Sequence, residues 1–263
     1  MKIELFNDHF QNFKSYNIPR AQLIIADIPY NIGKNAYGSN PKWYIDGDNE
    51  NGESEFAKKE FFDTDNSFSV IDYMWFCNRL LRKEPKEKGK APAMLMFCSF
   101  EQQFALIQLA KEHGLKKYIN LVFRKNFSAQ VLKANMRIVG NCEYGLLFYR
   151  DKLPKFNNGG NMVFNCFEVP RDTKTPKIHP TQKSVPLLEH LIELFTDPGE
   201  VVIDPVAGSG TTLLAAANCG RVAYGFEIKK EFVKLAKEQI LCRVQQKLFC
   251  EPRKKAHELQ KLF

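Results

Sequence analysis

With 263 residues, 44% of them hydrophobic, the chain can bury a sizeable core without disulfides, and its seven scattered cysteines show neither C-x-x-C pairs nor zinc spacing. No apolar run approaches the ~20 residues of a membrane span, and MKIELFNDHF lacks a signal-peptide core, so a soluble, cytoplasmic protein with no membrane partner is expected. A net charge of +8 suits an anionic partner, although such a balance alone is a weak pointer.

Short apolar strands alternate with amphipathic helices along the chain. Residues 2–6 read as a strand ending near Asp8, and 23–26 as a second strand running into ADIPYN, where Asp27 and Pro29 stop it. Polar residues 31–66 form a long loop expected to be mobile. Helical periodicity follows over 67–81 and 101–111, with strands at 93–98, 119–123 and 144–149. Segments 125–140 and 151–180, rich in Lys, Asn, Gly and Pro, fit neither pattern. Basic residues 82–90 and Arg253 to Lys255 read more readily as solvated surface than as a binding patch.

The last third carries the clearest chemistry. After a helix at 185–195, the strand 201–203 meets Asp204-Pro205, then Ala207-Gly208-Ser209-Gly210 turns into a small-residue helix opened by Thr211. Glycines there allow close approach of a ligand to the backbone, and the helix start offers N–H groups and a positive dipole. No Gly-Lys pair follows, so this is not a Walker A loop, and the spacing is not that of a dinucleotide fingerprint. The strand at 222–226 then ends in Glu227, an acid placed where a ribose diol can be bound; a helix over 229–246 closes the pattern. Alternation of this kind specifies an α/β fold with a mostly parallel sheet flanked by helices.

DPVAGSGTT followed by GFE resembles the S-adenosylmethionine motif of amino-methyltransferases, and DIPY resembles their D-P-P-Y tetrapeptide. DIPY comes first, and KIHPTQKSVPLLEHLI between them is similar to a segment of the permuted β group of DNA adenine N6-methyltransferases. Ile28, Ser184 and Val206 depart from the common pattern. The resemblance implies a Rossmann-like fold: one catalytic domain over 1–263, a seven-stranded, mostly parallel sheet with one antiparallel strand, and helices on both faces. It implies S-adenosylmethionine as cofactor and no metal. Asp8, Asp27, Asp204, Ala207, Gly208, Ser209, Gly210, Thr211 and Glu227 would line the cofactor, with Lys183 either anchoring its carboxylate or serving as an ordinary solvated lysine.

In this reading Asp27, Ile28, Pro29 and Tyr30 form the catalytic group. The exocyclic amine of adenine is a weak nucleophile; the Asp27 carboxylate and the residue 28 carbonyl accept its hydrogens, Pro29 fixes the backbone, and Tyr30 stacks on the base. The resemblance implies double-stranded DNA as partner, with the target base flipped out and the loop after Tyr30 closing over it. Target recognition falls to 151–180, where Lys152, Lys155, Arg171, Lys174 and Lys177 lie among Asn157, Asn158, Asn161 and Asn165. Cytosine N4 or an RNA base as substrate, a catalytically silent DNA-binding subunit, a companion restriction enzyme and a homodimer stay open.

Overall fold

The computed structural model describes residues 2–29, 68–126, 130–133, 138–169, 171–179 and 181–244. Tyr30, the expected mobile loop 31–66 and the basic residues Arg253 to Lys255 lie outside them.

The strands are β1 (Ile3–Phe6), β2 (Leu23–Asp27), β3 (Ala93–Cys98), β4 (Lys117–Lys125), β5 (Gln130–Lys133), β6 (Ile138–Gly140), β7 (Cys142–Tyr149), β8 (Cys166–Val169), β9 (Val201–Asp204) and β10 (Val222–Phe226). The helices are α1 (Val70–Leu80), α2 (Gln103–Glu112), α3 (Val185–Phe195), α4 (Thr211–Asn218) and α5 (Lys230–Leu235), the last running into a π-helical turn at Ala236–Leu241. A 3-10 turn covers Phe10–Ser15. None of the helices among the described residues is long and apolar enough to cross a membrane.

Eight strands form the main sheet in the order β1-β10-β9-β2-β3-β7-β4-β8, and β5 and β6 make a separate hairpin. Strand β7 runs antiparallel to both neighbours, β3 and β4, and the other pairings in this sheet are parallel. The eighth strand corrects the expected count of seven. It is β8, inside the segment read as irregular, and it hides in the sequence because it is a short edge strand. Only Val169 of its CFEV is buried, so no apolar run marks it.

Side chains of the central strands alternate between two cores. Leu23 and Ile25 of β2 join Leu95, Phe97 and Val202 on the face covered by α3 and α4. Ile24 and Ala26 join Met94, Met96 and Ile203 on the face covered by α1 and α2. With each large buried aliphatic contributing about 1.5–3 kcal/mol, a one-residue slip of β2 would reverse both sets at once, so the register is firmly held. That parity directs Asp27 to the α3 side and Ile28 to the α1 side.

Chain direction places the site. From β9 the chain passes through α4 to β10, on one side of the sheet order, whereas from β2 it proceeds to β3 on the other. Strands β9 and β2 are parallel neighbours, with Ile24 opposite Ile203. Their carboxyl ends therefore flank a topological switch point, the usual ligand crevice of such sheets.

The segment before α3 also requires a correction. Lys155, assigned above to DNA, is buried; its Nζ lies 2.5 Å from Asp197 Oδ2 and 2.9 Å from Glu200 Oε2. Lys152 Nζ donates to the carbonyl of Pro85 at 2.6 Å. Asn157 donates to the Glu193 and Thr196 carbonyls and to Asp197 Oδ1, closing the C-terminal end of α3. Asn158 and Asn161 bond each other's carbonyls, and Asn165 donates to the Asn120 carbonyl at 3.0 Å. Lys152, Lys155, Asn157 and Asn165 fasten the segment to the domain and the Asn158–Asn161 pair closes a turn within it, whereas Arg171, Lys174 and Lys177 remain exposed.

Lys155→Ala should lower stability by about 2–3 kcal/mol, less than for a wholly buried pair because Asp197 is partly open to solvent. Urea unfolding checks this, and a change of under about 0.5 kcal/mol would contradict the structural role.

Candidate active site

Four strand ends build the site at the carboxyl edge of the sheet: β2 ends in Asp27, β9 in Asp204, β10 leads to Glu227, and β3 ends in Cys98 followed by Ser99. The loop after β9 crosses toward β10, where the Ala207 amide donates to the Phe226 carbonyl at 2.8 Å. Gly208 and Gly210 take φ values of +49° and +74°, a region other residues enter only under strain. Gly210 caps α4 without any side-chain hydrogen bond at that cap.

Glu227 ties the loop to the neighbouring strand. Its Oε2 accepts the Gly208 amide at 2.9 Å and its Oε1 the Lys229 amide at 2.8 Å. Each carboxylate oxygen has a further lone pair, so the group can still accept hydroxyl donors. Burial raises the pKa of Glu227 above the ordinary value, with the amides pulling the other way. Asp204 is only 3% exposed and accepts the Val206 amide at 3.0 Å. Burial pushes its carboxyl up to about 7; a hydrogen bond from Thr212 opposes this, and the charges of Asp27 and Glu227 add to it. An acid-rich edge of this kind fits a ligand that brings ammonium and hydroxyl donors.

The tetrapeptide lies beside it. Ile28 is 2% exposed and packs into the α1 core, so its side chain fills space the sequence reading gave it no part in. Gln102 Nε2 donates to the Pro29 carbonyl at 3.1 Å, while Gln102 and Ser99 exchange side-chain and backbone bonds that fix the start of α2. Phe100, exposed on the same edge, packs at 5.6 Å against Tyr144.

Three further residues have protein neighbours that the sequence does not reveal. Asp8 is occupied locally: its Oδ1 accepts His9 N and Asn12 Nδ2, both at 2.7 Å, and its Oδ2 accepts the Tyr16 hydroxyl at 2.8 Å. Lys183 places its Nζ 2.8 Å from Asp27 Oδ2 and 3.3 Å from Glu143 Oε2, which favours carboxylate pairing over the suggested cofactor anchor. His179, not singled out from the sequence, lies next to the glycine loop; a Cβ on Gly208 would meet its ring at 3.9 Å. Burial, followed by the charges of Lys183, Lys229 and Lys177, lowers the pKa of His179 to about 4, so it is neutral at pH 7. Glu143 was also missed as a site residue, although an acid opening the apolar run of NCEYGLLFYR is a visible signal.

The N6/N4 methyltransferase family model, described as DNA methylase, matches residues 21–238. The chain belongs to this DNA methylase family. It is 27% identical over 255 residues to the DNA adenine methyltransferase YhdJ of Escherichia coli (strain K12), a match spanning 89% of this chain and 81% of that protein. It is 23% identical over 250 residues to the type II methyltransferase M2.DpnII of Streptococcus pneumoniae, covering 90% and 89% of the two chains. Among solved structures, the M1.HpyAVI-SAM complex superposes with a TM-score of 0.63 at 21% identity, over 90% of this chain and 98% of that one. The cytosine-N4-specific PvuII DNA methyltransferase superposes with a TM-score of 0.65 at 15% identity, over 94% and 91%. At these identities the structural likeness carries the methyltransferase α/β fold. This DNA methylase uses S-adenosylmethionine.

The buried acid gives the ligand-free protein a defined pH response. Folded Asp204 titrates near 7, above the ordinary value of 3.8, so its contribution to stability is fully present below about 3.8 and is lost as pH rises through about 7. Between about pH 5 and pH 8, Asp204→Asn should gain stability relative to the parent, as read from urea midpoints. A parent–variant difference that stays constant over this range would contradict the raised pKa.

Proposed function

We propose that the chain transfers a methyl group from S-adenosylmethionine to the exocyclic N6 of a flipped adenine in DNA. The juxtaposition of Asp27 at the end of β2 with the glycine loop at the end of β9, across the switch point, carries this reading. The relative YhdJ is a DNA adenine methyltransferase, which supports adenine as the base.

The cofactor supplies an electrophilic methyl group when bound. Gly208 and Gly210 would let the loop from Ala207 through Ser209 to Thr211 hold its amino-acid portion, Asp204 would receive its ammonium, and Glu227 would accept its ribose hydroxyls. Asp27 and the residue 28 carbonyl accept hydrogen bonds from the target amine, favouring a pyramidal nitrogen with its lone pair directed at the methyl carbon. These negative groups are already in place when positive charge develops on nitrogen, so little reorganisation accompanies transfer. Pro29 and Tyr30 complete the group, Tyr30 as the stacking face. Holding amine and methyl donor in line removes much of the entropic barrier. DNA is held through its phosphates, with Arg171, Lys174 and Lys177 as the exposed cations of the recognition segment.

Sequencing that detects modified bases in DNA from cells expressing the protein tests the reading directly. N6-methyladenine at a defined motif is expected; N4-methylcytosine, or no modified base, would overturn it. Asp27→Ala should lower single-turnover transfer by at least about 100-fold while cofactor and DNA affinity stay within about threefold. Gly208→Val places a β-branched residue at a φ of +49°, a cost of about 1–2 kcal/mol that the loop relieves by moving. Calorimetry should then show at least about tenfold weaker S-adenosylmethionine binding with the fold retained. Unchanged affinity would remove the loop from the cofactor site.

A further inference from the structure

Asp27 ends a chain of alternating charges. Lys183 Nζ bridges Asp27 Oδ2 at 2.8 Å and Glu143 Oε2 at 3.3 Å, and Lys125 Nζ lies 2.5 Å from Glu143 Oε1. All four side chains are sheltered, with exposures of 23% for Asp27, 9% for Lys183, 18% for Glu143 and 17% for Lys125. They come from separate places: the end of β2, the residues before α3, the start of β7 and the end of β4. The Lys183 ammonium also lies 5.0 Å from the centre of the Phe97 ring, and Phe97 is the register partner of Asp27. Burial raises the proton affinity of Glu143, but Lys183 and Lys125 outweigh it and hold the carboxyl below its ordinary range. An ordered ammonium between two carboxylates is far from a solvated surface lysine.

We propose that Lys183, held by Glu143, is a positioning residue for methyl transfer: it fixes the plane of the Asp27 carboxylate and keeps that carboxyl ionised for the target amine. The inference rests on the amine-methylating role of Asp27 proposed above. Geometry explains the need. Asp27 is faced by Asp204 from β9 and by the Cys98 thiol from β3; burial pushes that thiol up to about 12, and the Asp27 charge adds to it. Asp204 is faced in turn by Glu227, and His179 nearby is neutral. Lys183 brings an ammonium into direct contact with Asp27, and Lys125 stands behind Glu143. Without Lys183, the surrounding carboxylates raise the proton affinity of Asp27, and a protonated Asp27 loses acceptor strength toward the amine. A carboxylate accepts about four hydrogen bonds, so the lysine contact leaves capacity for the substrate.

Two measurements on the full chain test this. The first follows the Asp27 carboxyl by carbon-13 NMR during a pH titration without DNA or cofactor, assigned with Asp27→Asn. Lys183→Met, which keeps the aliphatic stem against Phe97, should raise the Asp27 pKa by at least about one unit. The second is single-turnover methylation of DNA against pH. Lys183→Met should slow transfer by about 100-fold near neutral pH and move the acidic limb upward by a similar unit, with S-adenosylmethionine affinity within about threefold of the parent. Lys183→Arg should restore at least about a tenth of the parent rate, and Glu143→Gln should show a smaller shift of the same sign; the latter decides the matter if Lys183→Met fails to fold. An unshifted titration, a shift without slower transfer, or cofactor affinity falling in parallel with rate would overturn the proposal. If the parent methylates no DNA amine, the functional reading fails instead, and the NMR titration still decides whether Lys183 controls Asp27 ionisation.

Discussion

Carboxylates drawn together at one sheet edge impose the main constraint on this domain. Asp27, Asp204 and Glu227 end or follow neighbouring parallel strands, so sheet geometry brings their charges close whether or not a ligand is bound. Each is accommodated differently. Asp204, the most deeply buried, titrates near neutrality; Glu227 is held by backbone amides; Asp27 is paired with Lys183. Three solutions to one electrostatic problem yield three environments, and therefore three chemistries, within a single crevice.

The two-sided core makes those solutions possible. Because β2 alternates between the α3 and α1 faces, Asp27 emerges toward the segment that carries His179 and Lys183, and Ile28 turns into the apolar cluster beneath α1. Proline is common in family members at position 28, but a buried aliphatic can stand there because the backbone, not the side chain, faces the crevice in the proposed chemistry. Its packing in turn helps hold the strand end that aims Asp27. Stability and site geometry are coupled at this residue.

What the sequence reveals follows from the range of the physics involved. Strands such as Ala93–Cys98 and Val222–Phe226, and helices such as Val185–Phe195 and Thr211–Asn218, carry their own apolar period and are legible with their bounds. The glycine loop is legible because its backbone requirement is local. Strand β8 is not, since half of an edge strand faces solvent, and neither is the 3-10 turn at Phe10–Ser15, which is too short to establish a period. The larger errors concern lysines. Lys155 and Lys183 look like surface charges by composition, yet their partners, Asp197 and Glu200 in one case and Asp27 and Glu143 in the other, are distant in sequence. No local pattern encodes such a pairing.

Reassigning those lysines changes the account of DNA recognition. Lys152, Lys155 and Asn157 fasten the start of the 151–180 segment to the domain by the ion pairs of the buried Lys155 and by carbonyl contacts, so they give that segment a rigid base. The exposed cations lie later, at Arg171, Lys174 and Lys177, immediately before the residues that bring His179 to the glycine loop and Lys183 to Asp27. On the proposed function, phosphate contact and carboxylate positioning therefore share one short stretch of chain. The lever between them is the backbone of 171–183: Asp172 accepts the amides of Lys174, Thr175 and Val185, stapling that stretch to the start of α3. On that function, a DNA-induced shift at Lys177 would act on Lys183 across six residues of a stretch stapled by Asp172, whereas one at Lys155 would be taken up by its ion pairs with Asp197 and Glu200.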